Sequence, residues 1–408
     1  MLLMACITSS FKAADKKPFL KSGVWRAILQ RPDGQQIVFN FTTVVEKNKQ
    51  LIYVMNGNER LLVDSVKREG DSLWIIMPFF SSRFAARVQP DGNLEGTYIK
   101  SYGDRKQEIP FYAVYGNSDR YPAQTKPGNN ITGSWEVVFS NGKKTTQAIG
   151  VFAQGGNGKV TGTFRTATGD YRYLEGIING DSLILSGFDG GHAILFTAKL
   201  DNDSTITRAD YYSGLAGHET WTARKNSQVQ LADSYEQTKL KPGETRLSFR
   251  FPSLKGDTVS VQDEKYKNKV VVVQILGSWC PNCMDETAFL SDYYNKHRSE
   301  GVEIIGLAYE RTTSFEESKK ALEPFQKRFA VQYPFLVTGV AVSDSLRAQK
   351  TLPQLEAIKA FPTTIFIDKK GIIRKIHTGL DGPATGKYYE AFKQEFDELI
   401  TALLKEDQ

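Results

Sequence analysis

Two rhythms of apolar and polar residues divide the chain. Between residues 22 and 225 the runs are short and alternate, as in QQIVFNFTTVV, LIYVMNG and SLWIIMPFF, and later in KVTGTFRT and HAILFTAKL. A period of two sends one face of a strand to a core and the other to solvent. Turn signals punctuate the runs: Pro-Asp-Gly at 32–34 and 90–92, Asn-Gly at 56–57, 141–142 and 179–180, and Asp-Gly at 189–190. Beyond residue 246, strand-like and helix-like runs take turns to the end, the pattern of an α/β domain.

The β region repeats itself. Ser-Gly-Val-Trp at 22–25 returns as Thr-Gly-Ser-Trp at 132–135, and Gly-Asp-Ser-Leu at 70–73 returns at 180–183. Asp91 before one turn corresponds to Asp201 before another, so three landmarks share an offset of 110 residues. A duplication is the economical explanation. About eight strand candidates per copy predict an up-and-down antiparallel barrel, which leaves no free sheet edge. The opening Gly-x-Trp resembles the first-strand motif of lipocalin- and avidin-type barrels, with the Trp expected as a barrel plug. The predicted fold class is therefore two tandem all-β, barrel-like domains followed by an α/β domain.

The boundaries follow from composition. Residues 1–21 form an N-terminal tether, 22–120 the first β domain and 131–225 the second. YPAQTKPGNN (121–130) links the copies, and the polar stretch 226–246 leads to the last domain, 247–408.

At 408 residues, with 40% hydrophobic and 24% charged residues, the chain suits several globular domains. No run is long and apolar enough for a membrane-spanning helix. A net charge of +6 without a basic block gives no support to nucleic-acid binding. The opening MLLMACITSS contains Leu-Met-Ala-Cys ending at Cys6, which resembles a lipobox. The preceding residues are too few for a complete signal, so the reading predicts a lipoprotein, lipidated at Cys6, whose start lies upstream. Cys280 and Cys283 would then be the remaining free thiols.

Those two thiols lie in VVVQILGSWCPNC (271–283). VVVQIL reads as a strand buried on both faces. A helix is predicted to start near Cys280, with Pro281 tolerated in its first turn and Asp285 and Glu286 complementing its dipole. A thiol at that helix end meets free N–H groups that favour the thiolate, which makes Cys280 the expected nucleophile and Cys283 the resolving thiol. Zinc would need four ligands, and His192, His218, His297 and His377 are scattered, so no metal is expected. Haem attachment would need His where Met284 stands.

Residues 247–408 resemble the thioredoxin-fold thiol–disulfide oxidoreductases of the bacterial envelope, the TlpA/ResA-like family. The resemblance rests on the hairpin around Phe251-Pro-Ser-Leu and Asp257-Thr-Val-Ser-Val, on Tyr266-Lys-Asn-Lys-Val-Val-Val, and on Trp279-Cys280-Pro281-Asn282-Cys283. It continues through Phe361-Pro362-Thr363-Thr364 opening the strand TIFID, then Gly371 and IIRKIHTG. It implies that Pro362 is cis and faces the dithiol, beside a backbone edge on which a substrate strand pairs. It implies that Glu286 moves protons for the inner thiol, with Trp279 and Pro281 as supporting residues, and that no cofactor is needed.

Two departures stand out. Gln274 occupies the place of thioredoxin's buried Asp, and 82 residues separate Cys280 from Pro362, more than the family's usual span. Residues 312–360 should therefore hold an insertion, expected as two helices (SFEESKKALEPFQKRFA and DSLRAQKTLPQLEAIKA).

These observations predict a membrane-tethered thiol–disulfide oxidoreductase on the periplasmic side of a bacterial envelope, with reductase favoured over oxidase. Its partners would be disulfide-containing protein substrates and a membrane thiol relay as electron donor. The alternative is a ligand-binding surface lipoprotein whose barrels do the work, with Tyr98, Tyr102, Tyr112, Tyr211, Tyr212 and Trp221 lining a pocket. The two readings differ on whether the barrels are hollow or filled.

Overall fold

A computed structural model describes residues 19–102 and 105–406, so Cys6 and the lipobox-like segment lie outside the described residues. The first sheet has nine antiparallel strands: β1 (Gly23–Gln30), β2 (Gln36–Glu46), β3 (Lys49–Asn56), β4 (Glu59–Val63), β5 (Ser65–Glu69), β6 (Ser72–Ile76), β7 (Ser82–Val88), β8 (Leu94–Tyr102) and β9 (Arg105–Tyr115). β1 pairs with β9, and every sequence-adjacent pair is hydrogen-bonded except β4 and β5, which leaves one open seam. The count exceeds the eight expected because residues 59–69 form two short strands. Asp64, a residue poorly suited to a pleated ladder, interrupts the run.

The second sheet comprises β10 (Gly133–Ser140), β11 (Thr145–Gln154), β12 (Lys159–Thr166), β13 (Gly169–Asp170), β14 (Leu174–Asn179), β15 (Ser182–Phe188), β16 (Ala193–Lys199), β17 (Thr205–Ser213) and β18 (Gly217–Lys225). β13 is a two-residue strand folded onto β12, and the other eight close a ring through β10–β11, β11–β12, β12–β14 and β10–β18.

The duplication is visible in three dimensions. Trp25 and Trp135 are both fully buried on strands with the same in–out alternation. Each indole N–H donates to the carbonyl four residues earlier, Lys21 at 3.2 Å and Ile131 at 2.7 Å. Both are plugs, as expected.

The barrels are filled. The first contains a void of only about 10 Å³ among Phe39, Phe41, Ile75, Phe84 and Phe111. In the second, Phe196 stacks on Tyr211 with centroids 4.6 Å apart, and Phe164 meets Trp221 at 5.4 Å. Of the aromatics expected to line a pocket, Tyr98, Tyr211 and Trp221 pack into these cores, Tyr112 faces outward and Tyr212 stacks on His218, while Tyr98 and Tyr102 border a recess of about 200 Å³ outside the barrel interiors.

The barrels also interlock. The turn after β15 pushes Phe188 into the first barrel, where it stacks on Phe39 at 4.3 Å and meets Phe84 and Tyr98. Asn56 clamps the Phe188 backbone, its Nδ2 donating to the carbonyl at 2.8 Å and its Oδ1 accepting from the N–H at 3.2 Å. Side chains at Gly190 or Gly191 would fall 2.7 Å from Met77 or Phe80, so the close approach requires both glycines. Arg120, just before the linker, is buried between the barrels and donates to the Ser186 carbonyl at 2.9 Å.

The C-terminal domain holds β19 (Arg250–Pro252), β20 (Thr258–Ser260), β21 (Val270–Leu276), α1 (Pro281–His297), β22 (Val302–Ala308), α2 (Phe315–Arg328), β23 (Phe335–Val337), α3 (Arg347–Thr351), β24 (Thr363–Ile367), β25 (Ile373–Thr378) and α4 (Lys387–Lys405). The order β23-β22-β21-β24-β25 has three parallel strands followed by two antiparallel ones, with wholly buried β21 at the centre: the thioredoxin fold. The first helix of the insertion forms as α2. The second shrinks to the five residues of α3, because Pro353 disfavours helical geometry at Leu352, whose ψ is 67°.

This domain does not stand apart from the barrels. Phe79 packs between Phe325 and Phe329 at 5.4 and 5.5 Å, and Arg328 donates to the Leu62 carbonyl at 2.8 Å. The 226–246 segment is also anchored, since Lys241 N–H donates to the Gln354 carbonyl and Tyr235 packs on His377.

Candidate active site

Strand β21 ends under Gly277-Ser278, and the chain turns into α1 with Cys280 as N-cap and Pro281 in the first position. At N1 the missing proline N–H costs nothing, because the first helical N–H groups have no intrahelical partner. Cys280 Sγ accepts from the Cys283 N–H at 3.2 Å, and both cysteines are free thiols. Against Cys280 the Phe361–Pro362 peptide is cis, and the Phe361 carbonyl accepts from Cys280 Sγ at 3.4 Å. Trp279 donates to the Tyr309 carbonyl at 2.8 Å and sets its ring edge-on to Phe361 at 5.2 Å.

Beneath the thiols lies a closed polar network. Glu286 is fully buried and accepts from Thr364 Oγ1 at 2.7 Å and from Gln274 Nε2 at 2.9 Å. Gln274 is itself held by Thr287 at 3.1 Å and by Tyr333 at 3.4 Å. Burial lifts the Glu286 carboxyl from its ordinary value of 4.5 to about 7, against the downward pull of the Thr364 and Gln274 bonds. Burial also pushes the Cys283 thiol well up, helped by Cys280 and by the neighbouring Glu286.

A dithiol with an inner member that resists ionisation, above a carboxyl poised near neutrality, can pass a proton within the protein. Gln274 cannot be a base, but its amide orients the group that can.

Trp279, Cys280, Pro281, Cys283, Glu286 and Pro362 come together around the dithiol. The surroundings were less legible. Thr364 and Tyr333 lie far from the CPNC stretch in sequence, and only the sheet register brings them to Glu286. Asp285 was expected to complement the helix dipole. Instead it is paired with Arg172 of the second barrel, at 2.8 and 2.9 Å. Arg311 lies between Trp279 and Tyr102 of the first barrel, its guanidinium carbon 5.4 and 4.9 Å from the two ring centroids. Among the described residues no three His, Cys, Asp or Glu side chains converge as metal ligands, and no helix is long and apolar enough to cross a membrane.

Comparison with known proteins agrees with this geometry. The Redoxin family profile matches residues 241–391. The C-terminal domain is a redoxin domain. Its relatives include the thiol-disulfide oxidoreductase ResA of Geobacillus kaustophilus, 28% identical over 144 residues, which are 35% of this chain and 73% of that protein. The thioredoxin-like protein YneN of Bacillus subtilis is 24% identical over 146 residues, covering 36% and 76% of the two chains. A solved structure, a thiol:disulfide interchange protein DsbE from Chlorobium tepidum, aligns over 41% of this chain and 99% of its own at 19% identity, with a TM-score of 0.31. The redoxin domain is thus of the thiol–disulfide oxidoreductase class, and the matches to these relatives leave the barrels uncovered.

Proposed function

We propose that the protein reduces disulfides of envelope proteins through Cys280 and Cys283. The Cys280 thiolate attacks one sulfur of a substrate disulfide, forming a mixed disulfide and releasing one substrate thiol. Cys283 then gives its proton to Glu286 and attacks Cys280. The second substrate thiol leaves, and the pair of electrons lost as the Cys280–Cys283 disulfide forms ends on the substrate. A membrane thiol relay would restore the dithiol, and lipidation at Cys6 would keep the protein at the periplasmic membrane surface.

The supporting observation is the alignment of Cys280 with the Phe361 carbonyl beside cis-Pro362, above the buried Glu286. Trp279 and Pro281 hold that geometry, one through its bond to Tyr309 and the other by opening the helix. The filled interiors argue against a ligand held inside the barrels.

Trapping tests the roles. Cys283→Ser should accumulate a mixed disulfide between Cys280 and a substrate protein, resolvable by reductant, whereas Cys280→Ser should not. Equal trapping by both variants would reject the assignment of attacking and resolving thiols.

A further inference from the structure

The attacking thiol must reach a sulfur on another molecule, yet Cys280 is only 4% exposed. The second barrel packs against the residues that flank it. The turn joining β12 to β13 lies against the backbone beside the dithiol. A side chain at Gly379 would fall 2.5 Å from the Thr168 carbonyl carbon, and the Gly379 N–H donates to the Pro362 carbonyl at 2.8 Å. A side chain at Gly169 would fall 2.9 Å from Asn282 Oδ1, inside the CPNC stretch, and Asn282 Nδ2 is buried with no partner. Asp170 accepts from the Gly382 N–H. Tyr102 of the first barrel faces the guanidinium of Arg311, which also lies over Trp279 beside Cys280.

Charged groups fasten this turn. Arg165 forms a two-pronged pair with Asp381, at 2.7 and 2.6 Å. Buried Arg172 bridges all three domains: Asp285 of α1 at 2.8 Å, Glu59 of β4 at 2.6 Å and Asp189 of the second barrel at 3.4 Å. Beside the turn is a cavity of about 480 Å³, bordered by Arg165, Thr166, Gly169, His377 and Asp381. Ion pairs and a cavity, unlike a continuous apolar core, can be opened to water with little loss of hydrophobic burial.

We propose that the β12–β13 turn is a specificity gate. It fills the strip beside Pro362 where a substrate strand would pair, and Arg172 and Arg165 latch it. A disulfide reaches Cys280 only when this turn lifts, and the substrate favoured is an extended segment that takes the turn's place along that backbone. The inference rests on the reading of Cys280 as the attacking thiol.

The test is the rate at which N-ethylmaleimide alkylates Cys280 in the reduced full chain, read by mass spectrometry on the Cys280 peptide. The wild type should react about 100-fold more slowly than a short peptide containing CPNC, because reaction waits on a local opening. Arg172→Met and Arg165→Ala should each react about tenfold faster than the wild type, with unchanged circular dichroism. Should Arg172→Met not fold, Arg165→Ala and Asp381→Ala, which alter a more exposed pair, decide the question. Wild-type alkylation at the peptide's rate, or folded latch variants as slow as the wild type, would overturn the gate. Diamide oxidation run in parallel separates the two readings. A chain that forms no Cys280–Cys283 disulfide fails as an oxidoreductase whatever its alkylation rates, while a reversible disulfide with fast wild-type alkylation removes only the gate.

Discussion

Replacing Glu286 with Gln should change how the redoxin domain responds to pH. In the folded chain the carboxyl titrates near 7, because it is fully buried, against 4.5 for the same group in water. As pH rises from 4.5, the unfolded chain releases this proton first, so the folded state binds more protons and stability falls with pH. The loss is absent below 4.5, grows by about 1.4 kcal/mol per unit and is complete above 7, amounting to about 3 kcal/mol. Glu286→Gln keeps the shape and carries no charge. One of the bonds from Thr364 and Gln274 must then face an amide N–H₂ rather than an oxygen, at a pH-independent cost of about 1 kcal/mol. The stability of the Glu286→Gln variant relative to the wild type should therefore rise by about 3 kcal/mol between pH 4.5 and 8. Three packed domains do not unfold as one two-state unit, so the readout should be local. Hydrogen exchange of β21 and α1 peptides, followed by mass spectrometry at several pH values, supplies it. A difference between variant and wild type that does not change with pH would show that Glu286 does not titrate in this range.

Other consequences follow from the same structure. Phe188→Ala should lower the stability of the first barrel by about 3–5 kcal/mol, since it empties the space that the neighbouring barrel fills, and urea unfolding followed by exchange of β2 and β7 peptides would register it. His377 is buried and its ring is pushed down to about 4, so the folded state resists protonation. Its contribution is present above 6.5 and lost as pH falls toward 4, and His377→Leu should flatten that acid arm, as seen in hydrogen exchange of β25 peptides from pH 4 to 7. Asp170, lifted to about 7 by burial and by Asp285, adds to the loss as pH rises, and Asp170→Asn should reduce it in exchange of the peptide spanning β12 and β13.

The sequence made the two folds legible for different reasons. Strand alternation and the 110-residue repeat exposed the barrels, because a period of two is a local property. The redox cleft was legible because CPNC follows a buried strand directly and Phe361-Pro362 opens another. What escaped was everything set by contacts between domains. Asp189-Gly190 reads as a hairpin turn, and only packing turns it into the support of a plug carried by Phe188. Asp285 reads as a helix-dipole residue, while its partner Arg172 lies 113 positions away. No local period marks such a pair. Nor could the sequence distinguish the eight-stranded ring of the second copy from the nine strands and open seam of the first, because the difference turns on whether a short run breaks at Asp64.

In the proposed function Cys280 and Cys283 form a reversible redox couple that delivers electrons to substrates. The most direct measurement equilibrates the full chain in thiol/disulfide buffers of graded potential and counts free thiols at Cys280 and Cys283 by trapping and mass spectrometry. A reductase requires a two-electron transition at or below about −250 mV, on the side of thioredoxin. A midpoint near −120 mV, that of a strong oxidant, would reverse the direction of electron flow, and the absence of any Cys280–Cys283 disulfide across the range would contradict the account outright.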